Sequence, residues 1–127
     1  MKKREKHSGF FPCPCCGLPT LTERGSYDIC TICWWEDDGQ DDDRADEVWG
    51  GPNGKYSLTH ARINFANHGY MYDAGEGIGA VRNPSLARIE LVSFAQKIIR
   101  GQETLDVVRL QALIAADRAS WPKTLGE

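Results

Sequence analysis

Apolar residues follow two different patterns along this chain of 127 residues. Before about residue 56 they come in short runs broken by Gly, Pro and charge. After it they recur every three or four residues. The first pattern predicts short strands at residues 18–22 (Leu-Pro-Thr-Leu-Thr) and 26–29 (Ser-Tyr-Asp-Ile). Glu23-Arg24-Gly25 is the turn of that hairpin, with Gly25 free to take a backbone conformation that side chains resist. The second pattern predicts three helices. Ser57 caps a helix over residues 58–68, with Leu58, Ala61, Ile63, Phe65 and Ala66 as its apolar surface and Gly69 as its stop. Asn83-Pro84 reads as cap and first position of a second helix, running to about Arg100 and ended by Gly101. Its apolar face is Ala87, Leu91, Phe94, Ala95 and Ile98. Thr104 caps a third helix to about Ser120, with Leu105, Val108, Ala112, Ala115 and Ala119 in register and Trp121-Pro122 closing it. Residues 69–83 are glycine-rich and match neither period. The two C-terminal helices are expected to form an antiparallel hairpin.

Four cysteines add chemistry to this outline. Cys13-x2-Cys16 and Cys30-x2-Cys33 each place two sulfurs on one tight turn, and thirteen residues lie between the pairs. Pro14 pre-sets the first turn, and Gly17 accepts the positive φ that often follows it. Two such knuckles can supply four thiolates to one tetrahedral zinc ion, a closed and therefore structural shell. The hairpin between the knuckles makes this a zinc ribbon. Cys15 is the spectator, although it could replace Cys16. Disulfides fit less well, because the cysteine count is odd and no apolar segment follows the basic start Met1 to His7.

Composition bounds the rest. Apolar content of 41 % allows a modest core for one domain, and metal binding would add folding free energy on the order of 10 kcal/mol. The fold class expected is α+β, an N-terminal zinc ribbon packed on about three helices in a single domain, residues 1–127. Within it, residues 1–9 form a flexible basic arm, 10–55 the ribbon half with an acidic loop, and 56–127 the helical half. No apolar stretch approaches the ~20 residues of a membrane span, and free thiols point to the cytoplasm. Net charge is only −3, but residues 36–47 carry eight acidic groups against Arg44 alone.

The string Phe10-Phe11-Pro12-Cys13-Pro14-Cys15-Cys16-Gly17 resembles the signature of the bacterial cysteine-rich CPCC family. So does Tyr27-Asp28-Ile29-Cys30-Thr31-Ile32-Cys33-Trp34-Trp35-Glu36-Asp37-Asp38-Gly39-Gln40. Gly50-Gly51-Pro52-Asn53-Gly54, Ser57-Leu58 and Ala61-Arg62-Ile63-Asn64-Phe65 continue the similarity to about residue 70. His60 and Thr31 depart from the pattern without touching the cysteines. The resemblance implies a small zinc-bearing domain and, since several members look like products encoded beside polymorphic toxins, a binding or immunity protein.

Three function classes follow. A protein binder, such as an inhibitor that neutralises a toxin, would use an acidic surface with aromatic anchors: Trp35, Asp37, Asp38, Asp41, Asp42, Asp43, Asp46, Glu47 and Trp49. Locally, the same run also reads as a solvated loop with its tryptophans in the core, or as a brace for the knuckle. A nucleic-acid-binding ribbon would use Lys2, Lys3, Arg4 and Lys6, or a stripe of Arg88, Lys97, Arg100, Arg109 and Arg118. It is disfavoured by a sequence pI of about 5.6. An enzyme is not expected. His60 and His68 share a helix, and Tyr70, Tyr72, Asp73 and Glu76 could line a pocket, but no nucleophile–base spacing appears. The aspartate run lacks the alternate spacing of a calcium loop.

Overall fold

The computed structural model describes residues 5–121. Lys2, Lys3 and Arg4 of the basic arm, and Pro122, lie outside them. The chain forms two compact units, Met1–Ala74 and Gly75–Glu127. It is α+β, with a two-stranded antiparallel sheet and three helices of more than ten residues among the described residues.

The first unit holds β1 (Phe11–Pro12), β2 (Pro19–Leu21) and α1 (Leu58–His68). β1 pairs with β2, Phe11 opposite Leu21 and Pro12 opposite Pro19. This corrects the expected hairpin. Residues 26–29 do not pair with 18–22; Ile29 instead bridges Glu36, where Tyr27 N–H donates to the Asp37 carbonyl and Asp37 N–H to the Asp28 carbonyl, both at 2.9 Å. Each cysteine pair thus sits at the tip of its own reversal. The physical reason is local. A C-x2-C turn already reverses the chain, so the segments flanking it are the nearest available partners. Gly25 does adopt a positive φ of 69°, but it spends its N–H on the Asp37 carboxylate at 2.7 Å rather than on a hairpin.

Helix α1 matches its expected bounds. Ser57 Oγ accepts the His60 N–H at 3.0 Å, and Gly69 at φ 84° returns its N–H to the Phe65 carbonyl. Leu58, Ala61, Asn64 and Phe65 face inward, whereas Ile63 is 55 % exposed. With them Leu18, Leu21, Ile32, Trp35, Tyr56 and Met71 complete the core around the cysteines.

The second unit holds a single turn, α2 (Gly79–Arg82), then α3 (Leu86–Ile99) and α4 (Val107–Ala119). Asn83 closes α2, where the following Pro84 disfavours helical geometry, and does not cap α3. The cap moves to Ser85, whose hydroxyl accepts the Arg88 N–H at 3.1 Å. Asp106, not Thr104, caps α4 by accepting the Arg109 N–H. α3 and α4 pair in opposite directions: Ser85 meets Ser120, Arg88 meets Asp117, and the Arg109 guanidinium lies 4.4 Å above the Phe94 ring. The expected alanine stripe of α4 is wrong in phase. Leu110 and Asp117 are buried, while Val108 is 79 % exposed. Larger side chains bury more apolar area than alanine, and the Arg88–Asp117 ion pair, 3.1 Å long, fixes the same rotation.

Candidate metal centre

The two knuckles share the same turn-closing hydrogen bonds. In the first, Cys13 N–H reaches the Leu18 carbonyl at 2.8 Å and Gly17 N–H reaches the Cys13 carbonyl at 2.7 Å. In the second, Cys30 N–H reaches the Trp35 carbonyl and Trp34 N–H the Cys30 carbonyl, both at 2.9 Å. The N–H two residues on points at the leading sulfur in each: Cys15 to Cys13 Sγ and Ile32 to Cys30 Sγ, both at 3.4 Å. Gly17 and Trp34 occupy equivalent places and both have positive φ, 81° and 74°. The glycine was expected there. The tryptophan holds a conformation costing a non-glycine residue about 1–2 kcal/mol.

This repeat brings together the sulfurs of Cys13, Cys16, Cys30 and Cys33, all within 4.8 Å of one another. Cys13–Cys33 and Cys16–Cys30 are each 3.6 Å apart. Four sulfurs about 2.3 Å from a tetrahedral ion stand roughly 3.8 Å apart, so the spacing suits one metal ion. Disulfide sulfurs lie ~2.05 Å apart, and all five cysteines are free. Cys15 is buried but outside the group of four. Burial pushes the Cys13, Cys16 and Cys33 thiols above the ordinary range. Burial acts on Cys30 too, but hydrogen bonds from the other three cysteines and from Thr20 outweigh it and hold this thiol well below. Thr20 Oγ1 donates to Cys30 Sγ at 3.0 Å. A soft cation is the natural partner for four sulfurs closed off from water.

The acidic run is distributed quite differently from a continuous contact face. Trp35 and Asp37 are fully buried, which removes both from any exposed surface. Asp37 accepts from Arg24 Nε at 2.8 Å, Gly25 N–H at 2.7 Å and Gly39 N–H at 3.2 Å. Asp41, also buried, pairs with Arg24 at 2.9 Å and caps a short 3-10 turn, Asp42–Arg44. Asp38 accepts the Gln40 N–H and an Asn53 amide N–H. Asp42 receives Arg62, which also donates to the Pro14 carbonyl at 2.9 Å and so ties α1 to the first knuckle and the loop. Asp46 accepts from the Thr59 hydroxyl and Glu47 from the Trp49 indole. Asp43, Asp46, Glu47, Val48 and Trp49 remain exposed.

Arg24 and Arg62 are the residues that sequence reasoning missed. Their carboxylate partners lie 13 to 20 positions away. The one available signal was the scarcity of arginine around so acidic a segment. Elsewhere, His60 Nε2 lies 2.7 Å from Asp73 Oδ1, and Asn64 links Asp73 to His68. These groups fasten residues 71–73 to α1. In the proposed basic stripe, Arg88 is buried against Asp117.

No helix among the described residues is long and apolar enough to cross a membrane. Neither a curated protein nor a solved structure matches the chain. The family model described as Cysteine-rich CPCC matches residues 11–86, a span holding both knuckles, the acidic loop and α1. With Cys13, Cys16, Cys30 and Cys33 gathered into one buried cluster inside that span, the chain belongs to the cysteine-rich CPCC family.

Proposed function

We propose that the protein is a non-enzymatic binding module whose first unit is a zinc ribbon, stapled by a structural zinc ion on Cys13, Cys16, Cys30 and Cys33. The observation that carries this reading is the convergence of four buried sulfurs at tetrahedral spacing. Such a shell is full, so the metal would supply folding free energy rather than a site for water or substrate. The staple then presents the loop following the second knuckle. Its exposed part combines Trp49, 43 % exposed, and Val48, 58 % exposed, with Asp43, Asp46 and Glu47. An aromatic anchor rimmed by carboxylates suits a protein partner with a basic face. A nucleic-acid-degrading toxin, held inactive by this chain acting as its immunity protein, is such a partner.

Two measurements test the reading. Metal analysis of the purified protein should give one zinc per chain, lost in each Cys→Ser variant of the four and kept in Cys15→Ser. A different metal, or none, ends the zinc assignment. The zinc-loaded chain should also capture a stoichiometric protein partner in a salt-sensitive manner, and Trp49→Ala should weaken that capture. A partner held equally well by Trp49→Ala and Asp43→Asn would exclude this loop from the interface.

A further inference from the structure

Cys30 is the most heavily hydrogen-bonded of the four sulfurs. It accepts the Ile32 and Cys33 N–H groups at 3.4 and 3.5 Å and the Thr20 hydroxyl at 3.0 Å. We infer that Thr20 is a positioning residue of the metal centre, whose hydroxyl aims Cys30 Sγ and sets how firmly the second knuckle keeps its metal. This rests on the zinc reading above.

Some of these contacts come with any such knuckle, and one is particular to this chain. An N–H two residues on points at the leading sulfur of both knuckles, so that contact comes with the turn. The hydroxyl is different. Among the described residues, no hydrogen bond from a hydroxyl to Cys13, Cys16 or Cys33 accompanies it. It is also the shortest of the three contacts to Cys30. Its origin is informative: Thr20 lies on β2, the strand leaving the first knuckle, and the sulfur it reaches belongs to the second. The strand sets its direction, because Pro19 and Leu21 on either side are buried while Thr20 is half-buried. The hydroxyl therefore links the knuckles independently of the metal. Four thiolates around a dication also leave the site net negative, and a hydroxyl donor spreads that charge.

The test uses the full chain with the metal as probe. Thr20→Val keeps the branched shape and removes the donor; Thr20→Ser keeps the donor. Transfer of zinc to excess chromogenic chelator should be about 10-fold faster from Thr20→Val than from wild type, and Thr20→Ser should restore the slower rate. In the cobalt-substituted protein, the sulfur-to-metal charge-transfer band should move to lower energy in Thr20→Val and return in Thr20→Ser. Unchanged rates and unchanged bands in a folded Thr20→Val overturn the inference. Wild type alone gives an independent check. Loaded with NMR-active cadmium, it should show an exchange-protected Thr20 hydroxyl proton coupled to the metal, and the lack of that coupling also overturns the inference, whether or not the variants fold. Failure of the underlying zinc reading looks different: wild type would then carry no zinc at all.

Discussion

Replacing Asp37 by Ala should unfold the loop that follows the second knuckle, although the sequence reading sets Asp37 on an acidic contact surface. The carboxylate has no exposed surface and accepts three hydrogen bonds, one from a guanidinium and two from backbone N–H groups. Removing one partner of a buried ion pair costs roughly 3–5 kcal/mol. The lower end applies here, because Arg24 keeps 21 % of its side-chain surface and its second partner Asp41. The two orphaned N–H groups act in the opposite direction, each costing about 1–3 kcal/mol if still buried in the variant. A net loss above about 3 kcal/mol, toward about 5, is therefore expected. Asp37→Asn, which keeps the shape but not the charge, should lose less. An exposed control, Asp43→Asn, should change stability by no more than about 0.5 kcal/mol. The assay is urea unfolding at fixed, saturating zinc, since metal binding shifts apparent stability by mass action. Equal midpoints for Asp37→Ala and Asp43→Asn would refute the reasoning. In a double-mutant cycle, Arg24→Ala and Asp37→Ala should also be strongly non-additive.

Other predictions follow from single contacts. Gly17→Ala should cost about 1–2 kcal/mol in denaturant unfolding; an added Cβ there meets nothing within 4 Å, so the whole penalty is backbone strain, and a neutral variant would contradict it. Asp28 is held below the ordinary carboxylate range by the Thr22 hydroxyl and, against a small opposing effect of burial, by the Thr22 and Glu23 N–H groups. Its folded pKa being depressed, its stabilisation is complete above the unfolded value near ~3.9 and is lost as pH falls through the lower folded one. The urea-unfolding penalty of Asp28→Asn should thus be constant from neutral pH down to about 5 and shrink in stronger acid; a penalty that grows with acidity would be the wrong sign. Arg88→Met alone should cost about 3–5 kcal/mol in thermal unfolding by stranding the buried Asp117, and adding Asp117→Leu should recover most of it. A double variant no more stable than the single one would show that the pair is not the cause.

What could be read from the sequence was whatever is decided locally. The knuckles depend on two-residue spacings, Gly17 on the turn it follows, and α1 on a serine and a glycine at its own ends. What could not be read depends on distant partners. The strand pairing was misplaced because each knuckle closes on its own flanks, which a pattern of apolar residues does not reveal. The rotation of α4 turns on Asp117, drawn inward by an arginine 29 residues earlier, so an alanine stripe of nearly equal amphipathic merit was the wrong face. The aspartate run read as one surface because its counter-charges, Arg24 and Arg62, stand outside it. At the metal centre the four sulfurs were legible from spacing, while the Thr20 hydroxyl was not, since a strand threonine has no sequence mark that distinguishes a sulfur partner from water.

The family span stops at residue 86, the first residue of α3, and the two compact units part at residues 74 and 75. These two limits, one of the family match and one of folding, lie about a dozen residues apart. The four clustered cysteines, Arg24, Arg62 and α1 all fall inside the matched span, whereas α3 and α4 lie beyond it but for Leu86. What the family match says of this chain therefore concerns mainly the first unit, and exposed residues such as Ile89 and Val108 fall outside it.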